Sequence, residues 1–275
     1  MTAQFTQRKI FNKAVVRQSF DDASDSYNQF TSLQREIGSR LLEQRDALNS
    51  PAPKKVLDIG AGTGYLSKKI SEINGLRELY GLDIAVGMLN KTKSHLGEFK
   101  AAGLICADAE SIPLAGSAVN AVYSNLAYQW CSDLQRAIDE AYRVIKPEGT
   151  FTFSTFGPQT LRELKASWSS ADNGVHVNEF IDDDSIRNYL AEAGFCNIDV
   201  SSENIINYYD SPKHLMLDLK GMGAHNMNPG RNHGLTGIKA FKSMLSAYEA
   251  LRTEKGVPAC FQAVYVTAEK PAGCK

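Results

Sequence analysis

Apolar residues recur along the chain at two alternating spacings. Val56, Leu57 and Ile59 form a short apolar run, which predicts a buried strand over 55–59. A glycine-dense turn follows at Gly60, Gly62 and Gly64, and helical spacing begins at about Tyr65 and runs to about residue 73, before Gly75. The same alternation repeats. Strands are predicted over 79–83, 104–107, 118–124 and 150–155, and helices follow the first and third of these. Leu134, Ala137, Ile138, Ala141, Val144 and Ile145 form a helical stripe, with Ser132 and Gln135 as a capping box and Lys146-Pro-Glu-Gly149 as its stop. Asp182–Asp184 opens a further helix that Gly194 closes. Residues 198–209 read as a sixth strand. Residues 261–268 read as a seventh, with no crossover helix after it, so an antiparallel partner is expected. The whole predicts an α/β fold, a doubly wound, seven-stranded, mostly parallel sheet.

Two stretches lie outside this alternation. Residues 1–49 predict two or three helices: a flank helix after Thr31, and before it a mixture of aromatics and acids suited to a lid. Residues 210–258 form a helical insertion before the last strand. The expected organisation is a lid (1–49), an α/β core (50–209), a cap (210–258) and the last strand with its tail (259–275).

Composition narrows the partners. The formal net charge of -1 gives no global field toward nucleic acid. No apolar run is long enough to span a membrane, and Met1–Lys13 lacks the apolar core of a signal peptide. Five scattered cysteines without a Cys-x-x-Cys pair suit reduced thiols in a cytoplasmic protein.

The glycine turn carries the candidate chemistry. Glycine lets a ligand approach the backbone and accepts positive φ. A dinucleotide fingerprint needs a third glycine where Tyr65 stands, so that reading fails. Asp58 sits two residues before the first glycine. The pattern Asp-x-Gly-x-Gly-x-Gly resembles the first motif of class I S-adenosyl-L-methionine (SAM)-dependent methyltransferases, a Rossmann-like fold. Asp83 falls at the carboxyl end of the second strand, about 20 residues after the turn, where a ribose-binding acid belongs; a helix N-cap is its competing role. The resemblance implies that Asp108 approaches the adenine amino group. It also implies a cofactor site of Asp58, Gly60, Ala61, Gly62, Asp83, Ile84, Met88, Asp108, Ala109, Glu110 and Asn125.

Arg143-Val-Ile-Lys-Pro-Glu-Gly149 resembles a segment shared across these methyltransferases, and a narrower resemblance follows from Phe20-Asp-Asp-Ala-Ser-Asp-Ser-Tyr27, Asn125-Leu-Ala-Tyr-Gln-Trp-Cys131, His176-Val-Asn-Glu-Phe180 and Leu219-Lys-Gly-Met-Gly-Ala224. With these, the chain is similar to the malonyl-acyl-carrier protein O-methyltransferases of biotin synthesis. The resemblance implies methyl transfer from SAM to the free carboxylate of a malonyl thioester, on the carrier protein or on coenzyme A. Another small acid or small molecule is the alternative acceptor. A carboxylate is ionised at pH 7, so neither a general base nor a metal is required. One or two donors should orient it, with Arg143, His176, Lys220 and Arg231 as candidates and Tyr27, Leu126, Tyr128 and Trp130 as pocket walls. The carrier protein is acidic by the same implication, and 210–258 is locally basic, which suits docking.

Overall fold

The computed structural model describes residues 12–46, 51–99, 101–172, 174–222 and 237–273. Its strands are β1 (Lys55–Ile59), β2 (Glu78–Asp83), β3 (Gly103–Cys106), β4 (Val119–Asn125), β5 (Ile145–Phe156), β6 (Cys196–Tyr209) and β7 (Val257–Glu269). Its helices are α1 (Lys13–Ala23), α2 (Ser32–Asp46), α3 (Tyr65–Ser71), α4 (Val86–Leu96), α5 (Leu134–Val144), α6 (Arg162–Ser169), α7 (Asp183–Ala193), α8 (Pro212–Gly221) and α9 (Ile238–Glu249). One sheet holds all seven strands in the order β3-β2-β1-β4-β5-β7-β6. β1 to β5 pair in parallel, and β7 runs antiparallel to both β5 and β6.

Period-two alternation sends neighbouring residues to opposite faces of the sheet. On β1, Leu57 joins a core with Ile138 of α5 and Ile186 of α7, while Val56 joins another with Leu66 and Ile70 of α3. On β7, Val266 joins the first of these cores, and Tyr265 packs with Ile37 of α2 and Tyr248 of α9. Helices therefore cover both faces. α2 flanks the sheet as its spacing suggests, with Ile37 and Leu41 fully buried.

Three local expectations are corrected. α5 is capped by Asp133, whose side chain accepts from the Arg136 N–H, so the Ser132–Gln135 box does not form. The Ser132 N–H is instead bonded to the Glu110 carboxylate. β5 begins at Ile145, which pairs with Val119, and the register then shifts around Lys146–Gly149. β7 starts at Val257 because Tyr209 to Ile206 of β6 supply its partners, so residues 257–258 belong to the sheet and not to the insertion.

Candidate active site

β1 lies between β2 and β4, where the strand order reverses, and a crevice opens there at the carboxyl ends of the strands. The registers bring Ile59 level with Leu82 and Ser124, so the residues just beyond them share one edge. Those residues, Gly60, Asp83 and Asn125, line one open-mouthed cavity.

The turn after β1 is held by backbone bonds to β2. The Gly60 and Ala61 N–H groups both donate to the Leu82 carbonyl, at 2.7 and 3.0 Å. Gly60 has φ +70°, and a Cβ there would meet the Ala127 Cβ at 2.2 Å. The turn is thus pressed against the one that follows β4. Beneath it, Asp58 is fully buried and accepts from the Ser67 hydroxyl at 2.5 Å. Burial and the nearby Asp83 push the Asp58 carboxyl up to about 7 despite the Ser67 bond. Asp58 and Ala61 support the turn from behind, and neither lines the cavity.

Asp83 does line it. Its carboxylate accepts from the Gly62 N–H and from the Ala85 N–H, both at 2.9 Å. It therefore braces the start of α4 and also faces the cavity. Burial pushes its carboxyl up to about 6. Ile84, Met88 and Ala109 add apolar wall, and Asp108 stands beside them. Glu110 turns away from the cavity and accepts from the backbone N–H groups of Ser132 and Asp133.

The N-terminal segment forms one side of the cavity. Val16, Phe20 and Tyr27 line it, and Phe20 meets Trp130 edge-on at 5.5 Å between centroids. Asp21 accepts from the Gly87 N–H at 2.7 Å, and the Asn28 side chain accepts from the Thr63 hydroxyl at 2.7 Å. Burial, with Asp83 nearby, pushes the Tyr27 phenol well up, so it stays a protonated donor. Asn125 is held at both ends: its amide donates to the Gln34 carbonyl and its oxygen accepts from the Ser154 hydroxyl.

Several expected site residues stand elsewhere. Tyr128 is buried against Phe151 and Phe153 and does not wall the cavity. Residues 128–130 form one turn of 3₁₀ helix, whose three residues point about 120° apart, so Trp130 reaches the cavity and Tyr128 reaches the core. Arg143 closes α5 at the opposite edge of the sheet. It donates to the carbonyls of Ile112 and Leu114 and pairs with Glu140. His176 stacks on Trp168 at 3.6 Å and bonds Asp172 at 2.7 Å, away from the cavity. Lys220 is exposed on α8, and Arg231 lies outside the described residues. The cavity's cation is one that spacing did not single out. Among the described residues only Lys13 of α1 brings a positive side chain to its lining. No histidine is among the described lining residues.

Among the described residues, no group of three His, Cys, Asp or Glu side chains is placed to hold a metal, and no helix is long and apolar enough to cross a membrane. The cavity's two acids, glycine turn and apolar slot suit a nucleoside that carries an amino group and a positive charge.

Comparison with known proteins agrees with this geometry. Residues 57–153 match the methyltransferase domain family. The YcgJ protein from Bacillus subtilis shares the fold at a TM-score of 0.60, with 19% identity over 85% of this chain and 98% of that one. A malonyl-acyl-carrier protein O-methyltransferase of Methylovorus sp. (strain MP688) is 40% identical over 268 residues, 95% of this chain and 90% of its own length. A biotin biosynthesis bifunctional protein BioHC of Saccharophagus degradans is 40% identical over 253 residues, 90% of this chain and 44% of its own. The chain is a SAM-dependent methyltransferase, and it belongs to the malonyl-acyl-carrier protein O-methyltransferase family.

Proposed function

We propose that this chain methylates the free carboxylate of a malonyl thioester carried on an acyl-carrier protein. The methyl ester would hide the distal charge and let elongation toward a pimeloyl chain for biotin proceed. The observation that carries this reading is the cavity at the strand ends, lined by the Gly60–Gly62 turn, Asp83 and Asp108 and flanked by Val16, Phe20 and Trp130. An acceptor that is already an anion needs no base, whereas a phenol or ring-carbon acceptor would call for one. The name of the Methylovorus relative supplies the acceptor, and that of the Saccharophagus relative supplies biotin synthesis.

SAM supplies a methyl group on a positively charged sulfur. Asp83 would accept from its ribose hydroxyls, Asp108 from its adenine amino group, and the Gly60–Gly62 backbone would give its amino-acid end close approach. The Asp83 and Asp108 side chains would complement the ligand's positive charge. The protein's further tasks are alignment and exclusion of water. Trp130, Phe20 and Val16 form a greasy cover that serves the second task. The Tyr27 phenol serves the first, as a neutral donor that orients a carboxylate without quenching its nucleophilicity.

Docking of an acidic carrier protein would fall to α8 and α9, where Lys213, Lys220, Lys239 and Lys242 are exposed. The test is incubation with methyl-labelled SAM and malonyl-carrier protein, followed by a search for a base-labile methyl ester. Transfer to malonyl-coenzyme A alone would replace the carrier as partner. Transfer to neither would defeat the reading.

A further inference from the structure

Lys13 occupies the first turn of α1, where a positive side chain opposes the helix dipole. Helix stability therefore does not account for its placement. Its ammonium crosses nearly a hundred positions of sequence to reach Asp108 Oδ1 at 3.0 Å and Glu110 Oε1 at 2.5 Å. Burial works against the charge, but the bonds to Glu110 and Asp108 outweigh it and the Lys13 pKa is raised. Glu110 is anchored in turn by the N–H groups of Ser132 and Asp133, at 2.6 and 3.1 Å. Lys13 is thus fixed on a backbone-held carboxylate.

The consequence falls on Asp108. Its Oδ1 accepts from Lys13 and also from the Glu110 N–H at 3.0 Å. Among the described residues no donor reaches Oδ2. Two bonds to one oxygen fix the carboxylate's rotation and leave the other oxygen as the acceptor of an apolar slot lined by Ile84, Ala107 and Ala109.

We infer that Lys13 is a positioning residue for the nucleoside end of the cofactor site, holding Asp108 so that Oδ2 meets the purine's exocyclic amino group. This rests on the SAM reading above. Lys13 does not touch the reacting atoms. It sets how well the site tells an amino-bearing purine from one without that donor.

The experiment measures Kd by calorimetry for S-adenosylhomocysteine and for its analogue with hydrogen in place of the purine amino group. Wild type, Lys13→Met and Lys13→Arg are compared. A hydrogen bond to a charged acceptor predicts a wild-type preference of about tenfold or more for the amino-bearing ligand. Lys13→Met should cut that preference to about threefold or less, mainly by weakening the amino-bearing ligand, and Lys13→Arg should restore most of it. Equal weakening of both ligands by Lys13→Met would mean that Lys13 only holds the lid, and would overturn the inference. Unchanged affinity for both ligands would overturn it too, as would a wild type that binds both equally. If wild type binds neither ligand, the SAM reading itself fails and takes this inference with it.

Discussion

Replacing Gly60 by Ala tests whether the turn after β1 is pressed on the turn after β4. Two costs are expected. An alanine at φ +70° enters the left-handed region, at about 1–2 kcal/mol. Its Cβ would also lie 2.2 Å from the Ala127 Cβ, where about 3.5 Å is a normal separation, so one turn must yield by about 1.3 Å. Overpacking of that kind adds about 1–3 kcal/mol. Gly62 is the internal control: its φ is +56°, but the nearest atom to an added Cβ is the Gly60 carbonyl oxygen at 3.9 Å. Gly62→Ala should therefore cost only the backbone share, about 1–2 kcal/mol. The decisive variant is Gly60→Ala with Ala127→Gly, since the Ala127 Cα lies at an ordinary 3.6 Å. Urea denaturation of the single and double variants gives a coupling free energy, expected to favour the double variant by about 1 kcal/mol or more. The same set, titrated with S-adenosylhomocysteine, should lose and regain affinity in step, because the yielding turn carries Asn125 and Leu126 into the cavity. Zero coupling, or a Gly62→Ala variant as damaged as Gly60→Ala, would refute the contact.

Other perturbations separate the roles of the remaining residues. Burial raises Asp58 to about 7 and Asp83 to about 6, against about 3.9 for an unfolded aspartate, so the folded chain holds protons that the unfolded chain releases. Ligand-free stability should fall as pH rises from about 4 to 7, while SAM affinity should rise over about pH 5–7 with proton release, because the ligand favours ionised carboxylates; thermal melts and calorimetry in two buffers check both signs. Arg143→Met should lower stability by about 1–3 kcal/mol through its lost bonds to the Ile112 and Leu114 carbonyls, discounted for a partly exposed side chain, with the acceptor KM unchanged in steady-state assays. Tyr27→Phe should lower kcat/KM for the malonyl thioester about tenfold and leave SAM affinity within about twofold, as read by initial rates and calorimetry. Charge reversal at exposed Lys239 and Lys242 should raise KM for malonyl-carrier protein and spare a small malonyl thioester; equal loss on both would remove the docking surface.

The legible parts of the site share one physical cause. In a parallel sheet wound by crossover helices, the residues that follow a strand emerge at the same edge, so Gly60, Asp83, Asp108 and Asn125 meet once the strands are read from their spacing. The same rule places Arg143 at the other edge, since a residue that closes a helix just before a parallel strand lies where that strand begins. Its charge made it a candidate for the carboxylate, and topology argues against it. Tyr128 and Trp130 follow a different rule. Their spacing of two says nothing until the backbone between them is known to be a 3₁₀ turn, which splits them between core and cavity. His176 shows a third limit, because the stack on Trp168 and the bond to Asp172 satisfy its ring locally and leave it no part in the cavity. No periodicity reaches Lys13. It precedes the sheet, its partners lie 95 and 97 positions away, and nothing nearby in the chain marks it as paired. Only the docking of α1 across the strand ends brings that ammonium to Asp108 and Glu110. The lid is therefore more than a cover: it contributes a charge that the α/β core lacks among the described residues of this cavity.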